Sequence, residues 1–227
     1  MKPSTTIPLA IVLGGMIVAA AVYVSVHRPE RSTSSGQGNP ADVRPVGPND
    51  HILGNPAAPV QIVEYADFDC AYCKSFSTTL HSVIASEGTN GSINWVFREF
   101  PLTEIHPTAL EDAQAAECAA AVGGNDAFWK FADLLFANQP ADPQNYGAYA
   151  AQAGIESDAF ATCLANASST VSARIMADRA NALAAGARGT PYSLILVRGQ
   201  SPIVMDGAYS YAAVEQLVNQ ALRSAGD

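Results

Sequence analysis

The residues best suited to chemistry in this chain are Cys70 and Cys73, which are separated by two other residues. Two thiols at this spacing can form and open a disulfide, and they can also supply half of the ligands of a zinc site. Residues 60–65, before the pair, are largely apolar and β-branched, which predicts a short buried strand. Residues 74–86, after the pair, predict a helix because apolar side chains recur at helical spacing: Phe76, Leu80, Val83 and Ile84.

The cysteine pair is therefore expected where a strand ends and a helix begins. Unpaired N–H groups and the helix dipole at a helix N-terminus favour a thiolate, here on Cys70. Cys73 follows one turn later, close enough to attack a mixed disulfide that Cys70 forms. The other two cysteines, Cys118 and Cys163, lie far apart in the sequence and do not make a second pair for zinc. Redox chemistry is the favoured interpretation, ahead of a metal site or a structural disulfide.

Glu64 lies on the predicted strand, six residues before Cys70. A carboxylate on a buried strand is costly unless it has a partner or a chemical task. Two interpretations follow. Glu64 is either a structural residue with a polar partner or a proton donor and acceptor for the cysteine pair.

Composition sets the size of the folded part and limits its partners. The 227 residues, 48% of them hydrophobic, are enough for one domain with a sizeable core. The net charge is −9, so we expect no nucleic-acid partner and no attraction to an anionic bilayer through charge.

The N-terminal region predicts export. After a tail at 1–6, residues 7–26 carry no charge and are long enough to cross a bilayer as a helix. We interpret 7–26 as a transmembrane anchor; the alternative is a cleaved signal peptide. Residues 27–50 are rich in Pro, Gly and Ser and predict a flexible linker. Paired cysteines favour an oxidising space, so the domain is expected in the periplasm or outside the cell under either interpretation.

The rest of the chain predicts an α/β domain over residues 51–225. A second strand is expected at 93–100, and two more at 192–197 and 202–205. An Ala-rich stretch between these strands has a helical pattern throughout and predicts a helical insertion at 102–186. A closing amphipathic helix is expected at 211–222.

Three ordered motifs resemble those of DsbA-like thioredoxin-fold proteins over residues 52–224. They are Gly-Asn-Pro-Ala-Ala-Pro leading through the strand to Cys70-Ala-Tyr-Cys73, then Phe-Arg-Glu-Phe-Pro-Leu at 97–102, then Gly-Thr-Pro at 189–191. The resemblance, to a four-cysteine, membrane-anchored type, implies a thioredoxin fold with an inserted all-helical subdomain. It also implies thiol-disulfide exchange with unfolded or cysteine-containing exported proteins, supported by a membrane or soluble redox partner.

The resemblance also implies roles for particular residues. The Thr190-Pro191 bond is expected to be cis and to face the cysteine pair, and Thr190, Pro191 and Tyr72 are assigned to substrate binding. Glu64 corresponds to an acidic residue of the family near the buried cysteine, where it handles the Cys73 proton. Four-cysteine members carry an extra disulfide in the helical subdomain, which implies a structural Cys118–Cys163 bond; two free thiols in an oxidising space would also be a liability.

Residues around the pair predict a redox poise that is less oxidising than that of the strongest oxidants of the family. Tyr72 is uncharged and replaces the histidine of the strongest oxidants of the family, so it cannot stabilise a thiolate by charge. Asp69 is expected to raise the pKa of the Cys70 thiol, and Lys74 to offset this in part. His81 and His106 are expected to be surface or capping residues.

Together these features predict a thiol-disulfide oxidoreductase without a cofactor or metal, in which Cys70 exchanges and Cys73 resolves. A disulfide isomerase or reductase on the same scaffold is the nearest alternative. A Cu(I) carrier using the Cys70 and Cys73 thiolates is an alternative from a different class.

Overall fold

The described part of the protein, residues 38–226 of a computed structural model, contains five strands and seven α-helices. The strands are β1 (His51–Gly54), β2 (Val60–Ala66), β3 (Ile93–Glu99), β4 (Tyr192–Val197) and β5 (Ile203–Asp206). The helices are α1 (Ala71–Glu87), α2 (Ala109–Ala137), α3 (Tyr146–Ala153), α4 (Ser157–Ala165), α5 (Ala167–Thr170), α6 (Ser172–Ala184) and α7 (Tyr211–Ala225). The predicted tail, anchor and first part of the linker lie outside the described residues.

The five strands form one mixed sheet in the order β1-β3-β2-β4-β5. β2 is central: Val63 pairs with Val96 of the parallel β3 on one side and with Leu194 of the antiparallel β4 on the other. The parallel β2–β3 pair needs a crossover, which α1 supplies. α1 therefore begins directly after the carboxyl end of the central strand, and the cysteine pair lies at this junction.

Both faces of the sheet are covered, which is why nearly every residue of β2 and β3 is buried. The first face packs against α1 and α7 through buried side chains such as Leu80, Val83, Val214 and Val218. The second face packs against the C-terminal end of α6 and the chain before β1, with Ala182, Ala185, Val43 and Val46 among the contacts.

A block of helices, α2 to α6, is inserted between β3 and β4. Cys118 of α2 and Cys163 of α4 are joined by a disulfide, with their Cα atoms 5.7 Å apart. A kink interrupts α2 at Gly124, which adopts a φ of 78° that other residues rarely tolerate. The α/β architecture with a helical insertion is thus confirmed. β1 was not predicted.

The predicted linker at 27–50 is wrong in its second part, because residues 38–50 pack on the domain and the folded unit begins at Gly38. The Asn39 N–H donates to the Ala184 carbonyl at 2.7 Å. Arg44 donates to the Asp178 carboxylate at 2.8 Å. A segment rich in Pro and Gly thus gains its order from contacts with distant parts of the chain, which its own composition does not disclose.

Arg98, next to the last residue of β3, anchors this segment. Its side chain is fully buried, and Nε and Nη2 donate to the two carboxylate oxygens of Asp50 at 2.9 and 3.0 Å. Nη1 donates to the Arg44 carbonyl at 2.9 Å and to the Tyr65 hydroxyl at 3.1 Å. Burial by itself raises the pKa of the Asp50 carboxyl, but the hydrogen bond and charge of Arg98 hold that pKa below its ordinary value.

In the described part of the chain no helix is both long enough and apolar enough to span a lipid bilayer.

We expect Arg98→Met to lower the free energy of unfolding by about 3 kcal/mol or more, because it leaves the Asp50 carboxylate buried without its main partner. The matched control is Arg179→Met, which removes an exposed ion pair with Glu104 and should cost less than about 1 kcal/mol. Urea denaturation of the three proteins measures both effects. Similar losses in the two variants would contradict the anchoring role of Arg98.

Candidate active site

Cys70 occupies the position immediately before the first turn of α1. Its backbone is extended, with φ −77° and ψ 117°, and its N–H donates to the Asp67 carbonyl at 3.1 Å. Its carbonyl accepts the Lys74 N–H at 3.1 Å, the first bond of the helix. Cys70 and Cys73 are both free thiols in the structure, with 6% and 0% of their residue surface exposed. The strand–helix placement predicted for the pair is confirmed.

The surroundings of Cys70 lower the pKa of its thiol to about 5. The largest influence is the Cys73 thiol, which donates to the Cys70 sulfur; burial opposes it. The Thr190 side chain and the backbone N–H groups of Cys73 and Tyr72 lower the pKa further. Cys70 is therefore a thiolate at neutral pH, stabilised mainly by neutral hydrogen-bond donors at the start of a helix.

Cys73 is shifted in the opposite direction. Burial raises the pKa of its thiol well above the ordinary value, and the hydrogen bond to Cys70 and the charge of Glu64 raise it further. Cys73 therefore keeps its proton while Cys70 loses one. Two thiols one helical turn apart have unequal ionisation, and the arrangement suits one nucleophile and one protonated partner.

Thr190 and Pro191 lie beside this pair, at the start of β4. The Thr190–Pro191 peptide bond is cis, as the resemblance implies. The Cys70 sulfur lies 3.4 Å from the Thr190 carbonyl oxygen, to which it donates only when it is protonated. The Thr190 hydroxyl is buried and has no hydrogen-bond partner in good geometry within residues 38–226, but the Thr190 side chain is close enough to lower the pKa of both thiols.

Glu64 lies on β2 beneath the pair, fully buried and in register with Phe97 on one side and Ser193 on the other. Neither of its carboxyl oxygens has a hydrogen-bond partner among the described residues. Burial raises the pKa of Glu64 to about 8; the nearby Trp95 indole N–H opposes the rise without reaching good hydrogen-bond geometry, and the charge of Cys70 adds to it. The carboxyl is thus protonated at neutral pH and close to titration.

Tyr72 projects from the first turn of α1 with 71% of its surface exposed. Ile105, on the loop after β3, is similarly exposed at 69%. Large exposed apolar side chains are uncommon on this protein, so both are candidates for contact with another molecule.

Asp69 does not set the pKa of Cys70 as expected, since that pKa lies far below its ordinary value. The Asp69 carboxylate accepts a hydrogen bond from the Thr108 hydroxyl, which ties it to the loop before α2. Lys74 donates to the Ala137 carbonyl at 3.3 Å and is not among the main influences on Cys70.

Asp67 and His106 were missed as site residues. The fully buried Asp67 carboxylate accepts the backbone N–H groups of Asp69 and Leu102, each at 2.8 Å, and lies 2.9 Å from Nδ1 of His106. His106 is partly exposed, in line with the surface position expected for it, but its contact with the Asp67 carboxylate was not predicted. An Asp three residues before the cysteine was the only local signal, and nothing local connects it to residue 106.

Among residues 38–226, no group of three or more His, Cys, Asp or Glu side chains is arranged to hold a metal ion.

We expect the reduced protein to develop thiolate absorbance in the near ultraviolet with a midpoint near pH 5, and Cys70→Ser to abolish this transition. Cys73→Ala should move the midpoint upward by about one unit or more, because it removes the strongest donor to the Cys70 sulfur. A wild-type midpoint near the ordinary value of about 8.5 would contradict this description of the site.

Known structures share this fold. The chain superposes on alpha-DsbA1 of Wolbachia pipientis with a TM-score of 0.70 at 22% identity, over 82% of this chain and 97% of that one. It superposes on DsbA2 of Pseudomonas aeruginosa with a TM-score of 0.63 at 23% identity, over 78% and 96%. The predicted DsbA-like thioredoxin fold is therefore confirmed.

The sequence also matches part of a larger protein. It is 35% identical over 179 residues to the Na(+)/H(+) antiporter NhaA 1 of Salinispora arenicola, covering 78% of this chain and 26% of that protein. The chain thus spans about a quarter of the length of the curated relatives it matches. A family model described as thioredoxin matches residues 47–219, which is most of the chain. The chain belongs to this thioredoxin family and has the fold of the DsbA oxidoreductases.

Proposed function

We propose that the protein is a thiol-disulfide oxidoreductase that oxidises cysteine-containing exported proteins, with Cys70 as the exchanging thiol and Cys73 as the resolving thiol. The observation that carries the proposal is the opposite shift of two thiol pKa values one helical turn apart. A structural disulfide needs no such difference, and an exchanging pair does.

The exchange proceeds in two displacements. A client thiolate attacks the Cys70 sulfur of the Cys70–Cys73 disulfide, so a mixed disulfide forms and Cys73 leaves as a thiolate. A second client thiolate attacks the client sulfur of the mixed disulfide, so the client disulfide forms and Cys70 leaves as a thiolate. Two electrons pass from the client to the pair, and a membrane or soluble redox partner with an oxidised disulfide or quinone takes them up.

The low pKa of Cys70 favours this direction. A thiol of low pKa is a good leaving group and its thiolate stabilises the reduced form of the pair, which makes the disulfide form oxidising. An isomerase or reductase uses the same first step, and the direction of transfer separates it from an oxidase. A Cu(I) carrier is less well supported, because the site favours a proton on Cys73, whereas Cu(I) needs both sulfurs as thiolates.

Glu64 is proposed to move the proton of Cys73. When Cys73 leaves as a buried thiolate it needs a proton, and Glu64, protonated at neutral pH, is close enough to influence its ionisation. In the reverse step the Glu64 carboxylate accepts the proton of the Cys73 thiol, so that Cys73 attacks the mixed disulfide. A carboxyl with a pKa of about 8 suits both transfers near neutral pH.

Client docking is proposed to use the surface around Cys70. The Thr190 carbonyl contacts the Cys70 sulfur, so a client cysteine bonded to Cys70 brings its own backbone next to Thr190 and Pro191. Tyr72, two residues after Cys70 in the first turn of α1, provides an exposed aromatic surface.

The site of action is proposed to be the periplasm or extracellular space. The uncharged segment at 7–26 supports a membrane tether. The paired cysteines favour an oxidising compartment. The tether would hold the domain near a membrane-bound redox partner.

We expect Cys73→Ser to accumulate covalent complexes with a client through Cys70, because the resolving thiol is missing. Scrambled, disulfide-bonded ribonuclease A serves as the client for trapping, because the lone Cys70 thiolate forms a mixed disulfide only by attacking an existing disulfide. Complexes that reductant dissolves are counted on non-reducing gels. Cys70→Ser is the matched control and should trap almost none. Trapping by Cys70→Ser alone would reverse the two roles. Net oxidation of ribonuclease by the wild type distinguishes an oxidase from a reductase, and stoichiometric copper in the purified protein would favour the carrier.

We expect Glu64→Gln to slow the attack of Cys73 on a mixed disulfide by about tenfold to a hundredfold, since glutamine keeps the shape but accepts no proton. Attack of a client thiolate on Cys70 should change less. The free energy of unfolding should rise or stay level, because a buried ionisable group is removed. Stopped-flow exchange with a model peptide, beside urea denaturation, measures all three. Unchanged resolution rates would leave Glu64 a structural residue.

A further inference from the structure

The loop that carries Cys70 presents an electrostatic difficulty. Asp67 and Asp69 lie within three residues of a sulfur that is an anion at neutral pH. Carboxylates so near a thiolate raise its pKa and favour the neutral thiol. Each of the two carboxylates accepts hydrogen bonds from its own donors.

The Asp69 carboxylate accepts a hydrogen bond from the Thr108 hydroxyl. The Asp67 carboxylate has three hydrogen-bond donors: the N–H groups of Asp69 and Leu102, and Nδ1 of His106 at 2.9 Å. The Asp67 side chain is completely buried, so solvent does not screen it, whereas 24% of the His106 side chain is exposed. Of these donors only His106 can bring a full positive charge.

His106 favours its charged form in this position. Burial lowers its pKa, but the hydrogen bond and charge of Asp67 and the charges of Cys70 and Asp69 raise the pKa above its ordinary value. A charge on Cys70 thus stabilises the imidazolium. Electrostatic coupling is reciprocal, so the imidazolium stabilises the Cys70 thiolate by the same free energy.

We propose that His106, held in place by Asp67, is a positioning residue that compensates the charge of the Cys70 loop and thereby favours the Cys70 thiolate. This inference deepens the proposed function and rests on it for its biological meaning. The coupling itself is a property of the reduced domain and is measurable without any client.

The ionisation of Cys70 and His106 determines how the stabilisation of the Cys70 thiolate changes with pH. Cys70 is a thiolate above about pH 5, and His106 is an imidazolium below a pKa that is raised above its ordinary value of about 6.5. Between these limits both charges are present and stabilise each other. As the pH rises through the pKa of His106 the imidazolium is lost, Asp67 is no longer compensated, and the thiolate loses this part of its stabilisation.

Other titratable groups face the same region. From α2, Asp112 lies near Asp67 and Asp69; burial raises its pKa to about 7 against a hydrogen bond from Tyr146. From the end of β3, Glu99 faces the same region, and burial raises its pKa well above the ordinary value. On the loop of His106, Glu104 pairs with Arg179. Because Asp112 titrates at about pH 7, the contribution of His106 has to be isolated by substitution and by direct observation of its ring.

His106→Asn is the decisive variant. The asparagine amide can replace Nδ1 as donor to Asp67, so the contact is retained while the positive charge is lost. We expect the Cys70 thiolate midpoint to rise by about half a unit to one unit at low ionic strength. The equilibrium constant for reduction of the pair by glutathione should fall about three- to tenfold at pH 7, and salt should weaken both effects.

The matched control is His81→Gln, because His81 makes a similar contact with Asp133 at 2.8 Å through Nε2, which the glutamine amide can replace. It should leave the thiolate midpoint and the glutathione equilibrium unchanged. Equal shifts in the two variants, or no shift in His106→Asn, would overturn the proposal. Failure to oxidise ribonuclease would overturn the proposed function instead and leave these two measurements intact.

The unmutated protein provides a second test that does not depend on how a variant folds. NMR titration of the histidine rings gives the pKa of His106 in the reduced and the oxidised protein. Oxidation removes the Cys70 charge, so the pKa of His106 should fall. An identical pKa of His106 in both redox states would show that the two groups are not coupled.

Discussion

The hydrogen bond from the Cys73 thiol to the Cys70 sulfur, at the start of a helix, is the interaction on which the rest of the site depends. It lowers the pKa of one thiol and raises that of the other, so that the two sulfurs differ although they lie one turn apart. The fold supports this difference from three sides. The first turn of α1 directs backbone N–H groups at Cys70, the start of β4 brings the Thr190 carbonyl and hydroxyl beside it, and β2 places Glu64 beneath Cys73. A sheet whose central strand ends at the pair is what brings these groups together.

Two of the buried ionisable groups of the central strands, Arg98 and Glu64, are stabilised in opposite ways. Arg98 has a partner for each of its nitrogens and stays charged, and through Asp50 and the Arg44 carbonyl it attaches the chain before β1 to the sheet. Glu64 has no hydrogen-bond partner among the described residues, and its carboxyl takes up a proton instead. A paired charge stabilises a fold because breaking it is costly, whereas an unpaired carboxyl near its titration point contributes little to stability and is free to transfer a proton.

Sequence reasoning worked where the chemistry is local. The strand, the cysteine pair and the helix lie within a continuous stretch, and their patterns predicted the position of Cys70 and Cys73. The expectation for Thr190 came from a family resemblance, because a Pro at the start of a strand does not disclose what it faces. The contacts that were missed join residues distant in the sequence: Asp67 with His106, and Arg98 with Asp50. Residues 38–50 and β1 were missed for the same reason, since they are ordered by α6 and β3 and show little periodicity of their own.

The acidic composition of the protein explains why the hydrogen-bond donors to the Cys70 sulfur are mostly neutral groups. With a net charge of −9 the chain has few cations to spare for a thiolate, and the groups that lower the pKa of Cys70 are chiefly neutral: a thiol, a hydroxyl and two backbone N–H groups. Such donors are fixed by the fold and do not titrate near neutral pH, so the stabilisation that they provide varies little with pH or salt. His106 is the exception, because it is partly exposed and ionisable. The stabilisation of the Cys70 thiolate therefore has a constant part, which α1 and β4 provide. A smaller part, which His106 provides, varies with pH and salt.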